Sequence, residues 1–148
     1  VAAAAAGGPT GLRRYTEAQR AAYDRALREI RSGRKTTCWM WFVVPTPPHI
    51  VDGIEKGSYL NKKFSLRSEA EARAYLAFEA NGVRLRDNYL EMMTAIRDQL
   101  LLGRSAVALL GNKDAPKLKS SATFFQRVTR GGIDEQVHIV VSDVLRCL

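Results

Sequence analysis

Apolar residues recur at three- and four-residue steps in several separate stretches of the chain, and each such stretch predicts a helix. The first follows Thr16-Glu17-Ala18-Gln19, a capping box in which the Thr16 hydroxyl and the Gln19 amide serve the free backbone N–H groups of a helix start. Ala22, Tyr23, Ala26, Leu27 and Ile30 continue it as one stripe, with Tyr15 placed as a hydrophobic staple, until Ser32-Gly33 stops it. Ser68-Glu69-Ala70-Glu71 is a second capping box and opens a short helix through Tyr75 and Leu76. Asn81-Gly82 turns the chain. Leu85, Tyr89, Met92/Met93, Ile96 and Leu100 then predict a long helix from Val83 to Gly103. After a brief apolar piece, Ala106 to Leu110, Asp114 and Pro116 mark another start. Leu118, Ser121, Phe124, Phe125 and Val128 face one way along that helix, and Gly131-Gly132 breaks it. Asp134 is placed to cap a last helix that turns Val137, Val140/Val141, Val144 and Leu148 inward.

Two segments lack that period. Cys38 to Val44, Cys-Trp-Met-Trp-Phe-Val-Val, is the most apolar run and ends at Pro45. Its length and bulk suit a buried strand or extended segment, although a buried helical turn has the same composition. From Pro45 to Asn61 the chain reads as a loop punctuated by Pro45, Pro47, Pro48, Gly53 and Gly57, and connections of that length are often functional or mobile. The expected architecture is mainly α: a compact single domain over residues 12–148, with at most a short extended or β segment around Trp39–Val44. The alanine-rich residues 1–11 are expected to form a disordered leader.

At 148 residues the chain can bury roughly 70% of its unfolded surface, enough for a core without staples. No apolar run reaches the ~18 residues of a spanning helix, so no membrane partner is expected. Two cysteines, Cys38 and Cys147, make no disulfide framework, and the expectation is a reduced, intracellular and cytoplasmic protein. His49 and His138 have no ligands at metal spacing, so neither a metal nor a cofactor is expected. The net charge of +8 is unevenly placed: through Lys35, eight basic residues face three acids. Arg20, Asp24 and Arg28, and Arg25 and Glu29, stand at i,i+4 spacing and are expected to pair on the first helix. The surplus attracts phosphates, nucleotides, nucleic acid or acidic proteins without choosing among them.

No nucleophile elbow, phosphate-binding loop, dinucleotide fingerprint or His-Glu-x-x-His is present, and no catalytic residue is nominated. Trp39 and Trp41 would share a face of a strand, where they can stack on a base; their bulk equally suits the core. Lys35 sits where a cation favours a helix C-terminus, and also at the mouth of any pocket the tryptophans line. Lys117, Ser120 and Ser121 follow a helix start, where amides, hydroxyls and an ammonium can hold a phosphate or simply form a solvated first turn. Cys38, in an apolar run, is more readily packing than a nucleophile.

These pieces together resemble the DUF 1810 family of uncharacterised small proteins. The resemblance is carried by Thr16-x-x-Gln19-x-x-x-Tyr23, Ala26-Leu27-x-x-Ile30-x-x-Gly33-x-Lys35 and Trp39-Met40-Trp41-Phe42-x-x-Pro45. Glu71-Ala72-Arg73-Ala74-Tyr75-Leu76 and Asp114-x-x-Lys117-Leu118-x-Ser120-Ser121-x-Thr123-x-Phe125 extend it over Leu12 to Leu145. The chain departs from the family pattern at Cys38, where a histidine is usual, and at Thr46, where a glutamine is usual. The resemblance implies a compact, mostly helical domain and no established reaction. A more distant likeness in architecture to the NADAR (YbiA-like) domains, which are thought to act on ADP-ribose derivatives, carries no residue over.

Three functions follow as expectations. The first is binding, or hydrolysis, of a phosphorylated nucleoside or ADP-ribose-type molecule by Lys35, Trp39, Trp41, Lys117, Ser120 and Ser121. It requires those segments to meet at one concave site. The second is nucleic-acid binding through the basic first helix. The third is protein interaction through the proline-containing loop.

Overall fold

The computed structural model describes residues 9–148. The first helix, α1, spans Pro9–Arg31. Residues 1–8 of the expected leader lie outside the described residues, and Pro9 to Gly11 are already helical. Thr16 is therefore not a cap but an interior residue, its hydroxyl donating to the Arg13 carbonyl at 3.2 Å. Burial explains the longer helix. Leu12 and Tyr15 are both sealed in the core and extend the Gln19–Tyr23–Ala26–Ile30 stripe one turn upstream. Tyr15 is thus a core residue rather than a staple, its hydroxyl donating to the Phe64 carbonyl.

The tryptophan segment forms a single helical turn, α2 (Met40–Val43), not a strand. The connection that follows is not structureless: it holds a hairpin of β1 (His49–Val51) and β2 (Ile54–Lys56), paired Val51↔Ile54, Ile50↔Glu55 and His49↔Lys56. Asp52 and Gly53 both have positive φ, 52° and 77°, the backbone a two-residue hairpin turn demands. Two short helices follow, α3 (Tyr59–Lys63) and α4 (Glu69–Ala77). Ser68 accepts from the Glu71 amide at 3.0 Å, as the capping box predicts, and Glu71 reaches back to the Arg67 amide at 2.6 Å. A second small hairpin, β3 (Glu79–Ala80) and β4 (Val83–Arg84), turns at Asn81-Gly82.

The long helix α5 (Leu85–Leu101) is the centre of the domain, with α1 packed on one side and the last helix on another. A short α6 (Ala106–Leu110) leads into α7 (Ala115–Val128). After a 3₁₀ turn at Arg130–Gly132, α8 (Glu135–Arg146) packs on both α7 and α5. Asp134 caps α8 at the Val137 amide and also takes the Arg86 guanidinium through both oxygens, at 2.8 and 3.1 Å. Burial works against its charge, but these hydrogen bonds more than offset it and lower its pKa.

The domain is thus mainly α with two small hairpins, neither of them at Trp39–Val44. Among the described residues no helix is long and apolar enough to cross a membrane. A row of rings runs through the core: Phe42, Phe64, Tyr15, Tyr75, Phe125 and Tyr89, with neighbouring centroids 4.4–5.9 Å apart. Their tilted and edge-on arrangements suit the ring quadrupoles. Gln19 is the polar node of this core. Its amide donates to the Phe42 carbonyl at 2.7 Å and to the Tyr75 hydroxyl at 3.1 Å, and accepts from Asn88 at 2.9 Å.

Candidate functional site

Glu29, in the last turn of α1, organises the chain that follows. It accepts from the Thr36 and Thr37 amides at 2.8 and 3.0 Å, the Thr37 hydroxyl at 2.5 Å and the Trp39 indole at 2.9 Å. Burial alone would raise its pKa, yet these donors together hold it down to about 2. Its oxygens are taken by these donors, and the ion pair with Arg25 expected from their spacing is not formed. The loop it shapes brings Lys35 against the indole face of Trp39, 5.3 Å from the ring centroid.

Lys35 then meets the start of α7. Its ammonium lies 2.8 Å from one oxygen of Asp114, and Lys117 lies 3.2 Å from the other. Lys117 in turn stands 5.2 Å from the ring centroid of Trp41. Two lysines and two tryptophans, distant in sequence, are thereby joined around one carboxylate. Asp114 serves these ion pairs instead of capping α7, and its side chain accepts no backbone amide of that helix.

The hairpin stands over the same helix start. Between them is an open cleft of ≈ 280 Å³. One wall is Pro116, Lys117 and Ser120 of α7; the other is built from the Thr46–His49 and Glu55–Gly57 stretches, with Asn61 at one end. Glu55 is fixed by Arg67 through two hydrogen bonds of 2.9 Å each, which ties the hairpin to the body and lowers the Glu55 pKa. Gly57 has φ +109°, which favours glycine, and a Cβ there would lie 2.9 Å from the Asn61 amide nitrogen, so the Asn61 side chain would have to shift. Ile50, Val51 and Ile54 leave the hairpin with exposed apolar surface, and Tyr59 is exposed after it.

This arrangement divides the six residues nominated from sequence. Lys117 and Ser120 line the cleft. Trp41 is half-buried beside Lys117. Lys35 is connected to them through Asp114 and lines a separate groove with Arg34, Val107 and Leu110. Trp39 and Ser121 have no exposed surface and do not reach the cleft. Two steps of ~100° around a helical turn put Trp39 and Trp41 on different sides, where a strand would have aligned them. Ser121 faces inward with Leu118 and Phe125, and shares a hydrogen bond of 2.9 Å with Tyr89. Cys38 and Cys147 are free thiols.

Other residues of the site carried no local signal. Asp114 acts through Lys35, far away in the chain, and Glu29 through the loop that follows its own helix. Lys56 and His49, opposite each other in the hairpin register, line the cleft because the Asp52-Gly53 turn folds their strands together. That dipeptide is the one sequence feature that announces them.

The model of the family described as "Protein of unknown function (DUF1810)" matches residues 9–143. The chain belongs to the DUF1810 family. A solved structure similar to this DUF1810 chain is the crystal structure, at 1.38 Å, of the conserved hypothetical protein Rv1873 from Mycobacterium tuberculosis. The identity is 31%, covering 88% of this chain and 83% of that one, with a TM-score of 0.71. The search of curated proteins matches nothing. In this DUF1810 member the family motifs have plain physical duties. Thr16 and Gln19 belong to the buried face of α1, Trp39 completes the Glu29 cluster, and Lys117 and Ser120 edge the cleft.

Proposed function

We propose that the cleft between the hairpin and the start of α7 binds a phosphorylated nucleoside or ADP-ribose-type small molecule. The observation that carries this reading is the placement of Lys117 and Ser120 in its wall, on the first turns of a helix whose dipole favours an anion. Lys35 and Lys117 share a single carboxylate, so the group keeps a surplus positive charge for a ligand. Pro47, Pro48 and Pro116 add rigid apolar surface for the remainder of such a molecule. Trp41 stands behind the lining, with its ring against Lys117. The proposal is one of binding: no Ser–His or Cys–His hydrogen bond lines the cleft among the described residues. The test is a thermal-shift and calorimetric titration with nucleoside phosphates and ADP-ribose, on the wild type and Lys117→Ala. A ligand at one hundred times its Kd raises stability by about 2.7 kcal/mol. Equal shifts in both proteins would remove Lys117 from the site, and no shift with any of these ligands would end the reading.

A second reading rests on α1. Arg20, Arg25 and Arg28 are exposed, and none has a carboxylate within 4 Å among the described residues. The expected Arg20–Asp24–Arg28 pairing is not formed, which leaves these guanidinium groups free for nucleic-acid phosphates. Mobility-shift titrations with RNA and DNA at two salt concentrations decide it: binding by this face weakens steeply with salt and is reduced in an Arg20→Ala/Arg28→Ala variant.

A further inference from the structure

The cleft has a cation on each wall, and they belong to different elements. Lys117 comes from α7, while Lys56 ends β2 opposite His49 at the base of the hairpin. The two acids nearby are already engaged. Glu55 is taken up by Arg67, and Asp114 is shared by Lys35 and Lys117. Counting Lys35, Lys56, Lys117 and Arg67 against Asp114 and Glu55 leaves two positive charges around the cleft. Lys56 is exposed and has no ion pair among the described residues, so its charge is the least committed of the set.

Resting on the binding reading above, we propose that the ligand carries two linked phosphates, a nucleoside diphosphate or an ester of one, bridging Lys117 on the helix wall and Lys56 on the hairpin wall. One phosphate sits against Lys117 and the Ser120 hydroxyl. The second reaches Lys56, with the Asn61 amide as a further donor on that side. A ligand that makes only the first contact binds the helix wall and leaves the hairpin as it was. A ligand that makes both ties the hairpin down. This matters because a two-stranded ribbon has little stability of its own, and here it keeps Ile50, Val51 and Ile54 exposed. Diphosphate selectivity and hairpin ordering are therefore two readouts of the same contact.

The experiment is calorimetric titration of adenosine, AMP, ADP and inorganic pyrophosphate at fixed ionic strength into wild type, Lys56→Ala and Lys117→Ala. Amide hydrogen exchange over residues 49–56 is followed alongside. ADP is expected to bind the wild type about tenfold more tightly than AMP, the gain from one added charge-assisted contact. Lys56→Ala should weaken ADP far more than AMP and so abolish that preference, and Lys117→Ala should weaken AMP and ADP alike. ADP and pyrophosphate, but not AMP, should slow exchange in the hairpin. Equal binding of AMP and ADP to the wild type, or an ADP preference that survives Lys56→Ala, overturns the two-phosphate inference and leaves the site reading intact. Binding of none of the four, and none of ADP-ribose titrated beside them, overturns both. Lys56 lies on an exposed strand end, so its removal leaves the core untouched, and circular dichroism verifies the fold of each variant.

Discussion

The Trp39 indole donates its one hydrogen bond to Glu29, at 2.9 Å, deep under the end of α1. That pair fixes where the chain goes after the first helix, and with it the position of Lys35 and of the α2 turn.

Glu29→Gln therefore strips a buried carboxylate from four donors. The expected loss is about 2–3 kcal/mol at neutral pH, the scale for charge-assisted hydrogen bonds in the interior. Because the folded-state pKa is depressed, to about 2, the charge contributes its full stability above the ordinary glutamate range and loses it as pH falls toward 2. Urea denaturation at pH 7 and pH 3 measures this: the gap between wild type and variant should narrow at the lower pH. A gap that stays constant or widens on acidification contradicts it.

Ser121→Ala separates core from site. It leaves the sealed Tyr89 hydroxyl without its partner and should cost about 1–3 kcal/mol, while ligand affinity in the cleft stays the same. Lys117→Ala should do the reverse, since its ion pair is partly exposed and pairs of that kind contribute about 0–1 kcal/mol. If Ser121→Ala instead weakens binding at unchanged stability, its inward placement is wrong.

Gln19→Leu keeps the volume of the side chain and removes every polar contact at the core node. The Phe42 carbonyl and the Asn88 amide then lose their partner, at a cost of about 2–4 kcal/mol. Chemical denaturation reads the change directly, and a variant as stable as wild type would show that solvent reaches this node.

Gly57→Ala meets both a positive φ and the Asn61 side chain. The strain should cost about 1–2 kcal/mol and fall on the hairpin. Faster amide exchange in residues 49–56, with the helices protected as before, is the expected pattern. Uniform loss of protection across the domain would show that the hairpin is not a separate unit.

Much of the architecture could be read from local signals, because capping acts between neighbours. Ser68 and Asp134 cap as their spacing requires, and α5, α7 and α8 follow the apolar period. Local signals misled where packing overruled them. The Thr16 box is chemically sound, but burial of Leu12 and Tyr15 is worth more than a cap, so the helix runs through it. In the tryptophan run, composition fitted strand and helical turn alike, and a hydrogen bond back to Glu29 of the preceding helix anchors the turn. For the hairpin, Asp52-Gly53 was a usable signal, though strands of three residues are too short to show alternation.

The site divides in the same way. Ser120 and Ser121 look equivalent as neighbours in a motif, yet helical phase sends one outward and the other in with Leu118 and Phe125. That distinction was present in the period. The Lys35–Asp114–Lys117 bridge was not, because it depends on where the loop after α1 meets the start of α7 in space.

The two tryptophans differ in a way that equips the native chain with its own optical reporters. Trp39 has no exposed surface, so its emission follows unfolding of the domain. Trp41 is half-buried with the Lys117 ammonium near its ring, so its emission follows changes at Lys117, which lines the cleft. A Trp41→Phe protein would carry only the first signal, and the difference between it and the wild type the second, so occupancy and folding can be watched separately without attaching a dye.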